Sequence, residues 1–170
     1  MECYPILCFL DAHYLVVSTT IVSGQTLKGT GSVTGNVTVA DGGILAPGNP
    51  KGTLLVKGNV TLGATSTFVV NCDSSGYGQL QVTNGVINLA SATLSVVQGS
   101  EICSENMWII NNHGASAISG TFNGLPEDSV LKVNGQLFKI HYSADFASQA
   151  STGGKDVCLK AIIMPRVKFY

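Results

Sequence analysis

The sequence predicts an all-β fold: a right-handed parallel β-helix (β-solenoid) with an antiparallel hairpin cap near the C-terminus. Three observations lead there. One segment repeats itself 23 residues further on, the repeat alternates Val with Thr and Ser, and an Asn-Gly pair later separates two alternating strands.

The repeat decides the architecture. Thr30-Gly-Ser-Val-Thr-Gly-Asn-Val-Thr-Val39 recurs as Thr53-Leu-Leu-Val-Lys-Gly-Asn-Val-Thr-Leu62, with Val33 falling on Val56, Gly35 on Gly58, Asn36 on Asn59 and Val37 on Val60. A looser third copy runs from Val82 through Gly85, Val86 and Leu89 into Ala92-Thr-Leu-Ser-Val96, with an extra residue near Asn84. Its end matches Thr67-Phe-Val-Val70. So short a period leaves no room for a helical hairpin, and the β-branched alternation reads as strands. Three short strands with their turns make one coil, and stacking coils pairs every strand in parallel at about 4.8 Å. Parallel crossovers of this kind are right-handed.

Within a coil, Val33, Val37 and Val39 are expected to face inward above their counterparts. Gly31, Gly35, Gly42, Gly43, Gly48, Gly52 and Gly58 are expected at corners, where positive φ suits glycine. Asn36 and Asn59 are expected to form a side-chain amide ladder. Met107-Trp-Ile-Ile110 reads as a buried strand and Thr121–Pro126 as a turn. Val130–Val133 and Leu137–Ile140, flanking Asn134-Gly135, read as the hairpin. The expected division is an apolar strand or cap over 1–23, solenoid coils over 24–103, and a final coil with cap over 104–170.

Composition narrows the function. Charged residues are 11% of 170, against roughly 25% in an average domain, and 20 glycines take much of that place. Nine Lys and Arg without a cluster argue against nucleic acid, which is held by concentrated positive charge. The apolar run from Met1 to Ile21 lacks a basic start and is interrupted by Asp11 and His13, so it is too short to span a membrane and is expected to be a capping or first-rung strand, the alternative being a degenerate export signal. Cys3, Cys8, Cys72, Cys103 and Cys158 show no paired C-x-x-C spacing, and are expected mainly as small buried hydrophobes with at least one thiol free or paired between chains.

Gly29–Asn49 followed by Gly52-Thr-Leu-Leu-Val56 resembles the autotransporter-associated β-strand repeat, most distinctively in Gly43-Ile-Leu-Ala-Pro-Gly-Asn49. Ile118–Gly135 with Phe138, Ile140 and Tyr142 resembles the segment that closes many such passenger domains. The resemblance, covering about residues 24 to 162, implies a bacterial surface protein, adhesins among them, carried on a β-helix and located outside the cell at the outer membrane. Two departures stand out: no stretch supplies the roughly eight strands of a translocator barrel, and the glycine- and Asp-rich ending is altered to Thr152-Gly-Gly-Lys-Asp-Val157.

No catalytic, cofactor-binding or metal-binding residue is assigned. His13, His113 and His141 lie at no metal-ligand spacing, and no G-x-S-x-G elbow is present. Glu127-Asp128 is the one adjacent acidic pair and falls in a turn. Thr152–Asp156 resembles a single degenerate calcium-binding nonapeptide, a motif that works by repetition, so a structural turn is expected. The Asn-Val-Thr sequons at Asn36 and Asn59 are read as rung residues. The expected function is a non-catalytic structural or adhesive surface module, partnered by a host or matrix surface. The alternatives are a secreted filament subunit stacking on itself head to tail, and a carbohydrate-active β-helix enzyme.

Overall fold

The computed structural model describes residues 9–11, 14–48 and 50–163. Cys3, Cys8, His13 and Asn49 lie outside them. Successive strands turn through three faces. The first holds β1 (Phe9–Asp11), β4 (Thr26–Gly29), β7 (Ile44–Pro47), β10 (Thr67–Asp73) and β13 (Thr93–Gln98). The second holds β2 (Tyr14–Leu15), β5 (Ser32–Thr34), β8 (Gly52–Lys57), β11 (Gly76–Thr83) and β14 (Asn106–His113). The third holds β3 (Thr19–Ile21), β6 (Val37–Val39), β9 (Val60–Leu62) and β12 (Ile87–Asn88). Each strand pairs in parallel with the one above it on its face, which is the β-solenoid the repeat predicts. No helix occurs among the described residues, and so none is long and apolar enough to cross a membrane.

Alternation sets which side chains stack. Val33 lies over Val56 and Val56 over Val82; Val37 over Val60 and Val60 over Ile87; Leu45 over Phe68. All are at most 1% exposed, while the intervening Thr38 and Thr61 face solvent. Burying each such side chain contributes about 1.5–3 kcal/mol. The apolar run before Gly24 joins the same scheme, since β1, β2 and β3 pair with β4, β5 and β6.

The 23-residue step is one of several. From β4 to β7 the step is 18 residues, Leu27 to Leu45, whereas from β5 to β8 it is 23, Val33 to Val56. It becomes 26 between Val56 and Val82 and 30 between Gln81 and Asn111. Most of the added length enters at the corner between the first and second faces. There, Gly48 (φ 86°) exchanges both backbone hydrogen bonds with Gly29, β10 and β11 extend into an antiparallel hairpin, and Lys51 reaches Asp73 at 2.6 Å. The same corner carries a disulfide between Cys72 and Cys103. Among the described cysteines, Cys72 and Cys103 are therefore cross-linked, a pairing that their spacing does not reveal, while Cys158 is a buried free thiol. The corner between the second and third faces is constant except for one added residue at Asn84, which takes φ 56°.

That constant corner is held by glycines. Gly35, Gly58, Gly85 and Gly114 stand in a column in which a Cβ on Gly58 would meet the Gly35 carbonyl oxygen at 2.4 Å, and one on Gly85 or Gly114 the preceding glycine's at 2.1 Å. Close backbone approach, as much as positive φ, thus selects glycine. Of the seven predicted corner glycines, Gly31 and Gly43 are not in the positive-φ region. Gly43 is instead crowded by the Ile21 carbonyl oxygen, 2.7 Å from where a Cβ would sit. The expected amide ladder is also different. Asn36 Oδ1 accepts the N–H of Asn59 and Asn59 Oδ1 that of Val86, so each side chain caps the backbone of the next coil.

Above β14 the pairing turns antiparallel. β17 (Asp156–Ala161) pairs with β14, β16 (Gln136–Ala144) with β17, and β15 (Val130–Val133) with β16. Asn134 and Gly135, at φ 43° and 94°, form the two-residue turn of the β15–β16 hairpin. Trp108, between the core residues Met107 and Ile109, packs on Ala144, Cys158 and Phe146, and at the bulge between Trp108 and Ile110 the successive residues Ile109 and Ile110 both join the core.

Candidate functional site

Two places gather chemically capable side chains, both in the cap region. The first joins residues that the sequence presents separately. β16 carries His141 to the Leu125–Ser129 turn, which is tied down by backbone hydrogen bonds from Asp128 to Ile140 and from Ile140 to Ser129. His141, 8% exposed, sets Nδ1 at 3.0 Å from Glu127 Oε1 and 3.4 Å from Asp128 Oδ1. Glu127 Oε2 accepts the Tyr142 N–H at 2.7 Å, and Lys139 lies 3.6 Å from Asp128. Beside them the Tyr142 hydroxyl accepts the Phe122 N–H and donates to the Leu125 carbonyl, and burial pushes its pKa up to about 12.

Chemically, this is a histidine oriented by carboxylates, one half of an acid–base relay. The other half is a nucleophile or substrate-activating group on the imidazole, and no Ser, Thr or Cys side chain bonds His141 among the described residues. Donor atoms of Glu127, Asp128 and His141 lie within 4.8 Å of one another, close enough to share a cation. Their present bonds hold the turn against β16 instead.

The second place lies on the outer face of β14. A hollow of about 340 Å³ is bounded by Asn111 and His113 on the strand and by the 145–147 and 154–156 segments across it. Here the Thr152–Asp156 segment acts as the turn expected of it: Asp156 accepts the backbone N–H of Asn112 on one oxygen and that of Phe146 on the other. His113 also borders an adjoining hollow of about 480 Å³ at the Asn84–Val86 corner. Asn36 and Asn59 are exposed corner caps, and Asn59 edges that second hollow.

No family model and no curated protein matches this sequence. The likeness to autotransporter passengers therefore rests on the motif residues and on the solenoid that they build.

Asn111, Phe146 and the pairing of His141 with Glu127 are what the sequence reading left out. The only local signal was the Met107–His113 run, whose alternation is broken by the Trp108 bulge.

Proposed function

We propose that the chain is a non-catalytic, extracellular structural and adhesive β-solenoid module of a bacterial surface protein. The observation that carries this reading is the unbroken stack of buried aliphatics beneath a neutral outer surface, which makes a stiff spacer with little self-repulsion. The Cys72–Cys103 disulfide fits an oxidising compartment outside the cytosol. Glu127, His141 and Asp156, the groups best suited to catalysis, are engaged in hydrogen bonds that hold turns to strands. The passenger resemblance adds location at the outer membrane and a host or matrix surface as partner. Adhesion of the purified, fluorescently labelled protein to cultured epithelial cells and to extracellular matrix tests it; saturable binding is expected. Turnover of a polysaccharide that Glu127→Ala abolishes is the result that would replace this reading with the enzyme.

One observation favours a second reading, a filament stacked head to tail. β1 and β13 are the two ends of one parallel ladder, and among the described residues neither has a partner on its outward side. A heterologous contact between such edges propagates without closing. Sedimentation velocity over a hundredfold range of concentration tests it, with growing species expected for the filament and a constant monomer against it.

A further inference from the structure

Three atoms able to ligate a cation converge where the Leu125–Ser129 turn meets β16. His141 Nδ1 lies 3.0 Å from Glu127 Oε1 and 3.4 Å from Asp128 Oδ1, and one donor atom from each residue lies within 4.8 Å of the other two. A ring nitrogen carries one hydrogen at most, so Nδ1 can serve one of the two carboxylates and not both. Glu127 is the nearer. Asp128 is left beside a second negative charge, with Lys139 at 3.6 Å in an exposed pair that contributes little. The Tyr142 N–H on Glu127 Oε2 does not cancel that charge either. A divalent cation between the three atoms satisfies them together, which a single hydrogen cannot do.

The spacing is that of a coordination sphere. Metal–ligand bonds of about 2.0–2.2 Å set neighbouring ligand atoms about 2.8–3.1 Å apart at right angles and about 3.3–3.6 Å apart at the tetrahedral angle. The separations of 3.0 and 3.4 Å from His141 Nδ1 match these two values. Each ligand is also held in place. The imidazole is 8% exposed on β16, and the Tyr142 N–H at 2.7 Å fixes the second oxygen of Glu127, as outer hydrogen bonds fix ligating carboxylates. Asp128 is anchored through its backbone N–H on the Ile140 carbonyl. The Glu127 and Asp128 side chains are 44% and 64% exposed, so an ion enters from solvent and keeps water at its remaining positions. One imidazole nitrogen with two carboxylate oxygens suits Zn²⁺ and its neighbours better than Ca²⁺ or Mg²⁺, which prefer oxygen alone.

We propose that Glu127, Asp128 and His141 form a site for a divalent transition-metal ion of the zinc class, which replaces the histidine–carboxylate bonds and staples the 125–129 turn to β16. The site is independent of the adhesive reading, and its test needs no receptor. Zn²⁺ is titrated into the full chain by isothermal calorimetry, and Co²⁺ is followed by its visible absorption. The parent is expected to bind one ion more per chain than His141→Ala, and the affinity of that ion to fall about tenfold or more in Glu127→Gln and in Asp128→Asn. Glu127→Gln keeps an oxygen for the Tyr142 N–H and Asp128 is exposed, so these two variants test the site even where His141→Ala folds poorly. Zn²⁺ is also expected to raise the thermal midpoint of the parent more than that of either variant. Cys3, Cys8, His13 and His113 are further zinc-binding side chains of the chain, and ions held by them are unaffected by changes at the turn. Zn²⁺ binding that is equal in the parent, Glu127→Gln and Asp128→Asn therefore overturns the site, as does no binding at all. Tighter binding of Ca²⁺ or Mg²⁺ than of Zn²⁺ overturns the choice of ion.

Discussion

Asn36 Oδ1 accepts the backbone N–H of Asn59 at 2.9 Å, although the two residues are a full coil apart in the chain. The repeated asparagine is thus an acceptor aimed at the next coil's backbone, and Asn59 does the same for Val86 at 3.0 Å. An acceptor is all this contact needs. Asn59→Asp is expected to keep the stability of the parent, and Asn59→Ala to lose about 0.5–1.5 kcal/mol. Urea midpoints at unchanged m-value measure both; an aspartate as damaging as alanine would mean that the amide N–H₂ matters, as in a side-chain ladder.

The stacked core makes a sharper claim about register. Val60 is 1% exposed between Val37 and Ile87, while Thr38 on the same rung as Val37 faces solvent. Val60→Asp and Val37→Asp should cost more than about 4 kcal/mol and leave little folded protein. Thr38→Asp should fall within about 0.5 kcal/mol of the parent. Thermal melts followed by far-UV circular dichroism separate these outcomes, and comparable midpoints for Val60→Asp and Thr38→Asp would refute the inward assignment.

The cross-linked corner predicts a difference among the cysteines. Non-reducing peptide mapping should recover Cys72 joined to Cys103, and the double change to serine should cost about 2–4 kcal/mol by releasing the unfolded chain. Cys158 should resist alkylation at pH 8 in the folded protein and react once it is unfolded, because burial pushes its thiol up to about 11. Rapid labelling of native Cys158 would contradict the packing of β17 over β14.

Tyr142 sets an alkaline limit. Its pKa is raised in the fold from 10.0 to about 12 by burial, so the unfolded chain gives up this proton first. The stabilisation is fully present below pH 10 and is lost as pH rises from there toward 12. Tyr142→Phe should flatten that loss while costing about 1 kcal/mol at pH 7, where the Phe122 N–H loses its acceptor. Asp73 gives the mirror case. Hydrogen bonds from Lys51 and then Ser75 lower it from 3.8 to about 2, so its contribution is present above pH 3.8 and is lost as pH falls toward 2. Urea midpoints across pH 2 to 12 read both ends, and a Tyr142→Phe profile parallel to the parent's above pH 10 would exclude Tyr142 as the cause.

The sequence by itself determined the solenoid, its inward rows and its hairpin cap. A two-residue period decides locally which side chains face in, and a repeat of Val33, Val37 and Val39 one coil later requires those rows to stack. Asn134-Gly135 determined its turn equally locally. The tertiary structure alone decided which distant residues meet. Insertions at one corner changed the step between coils from 18 to 30 residues, and so brought Cys72 to Cys103 across 31 positions, which no fixed period can express. The fold of the cap set Glu127 against His141 and laid the 145–156 segment over Asn111. Alternation encodes the face on which a residue lies; what covers that face depends on the lengths of the loops and the path by which they return.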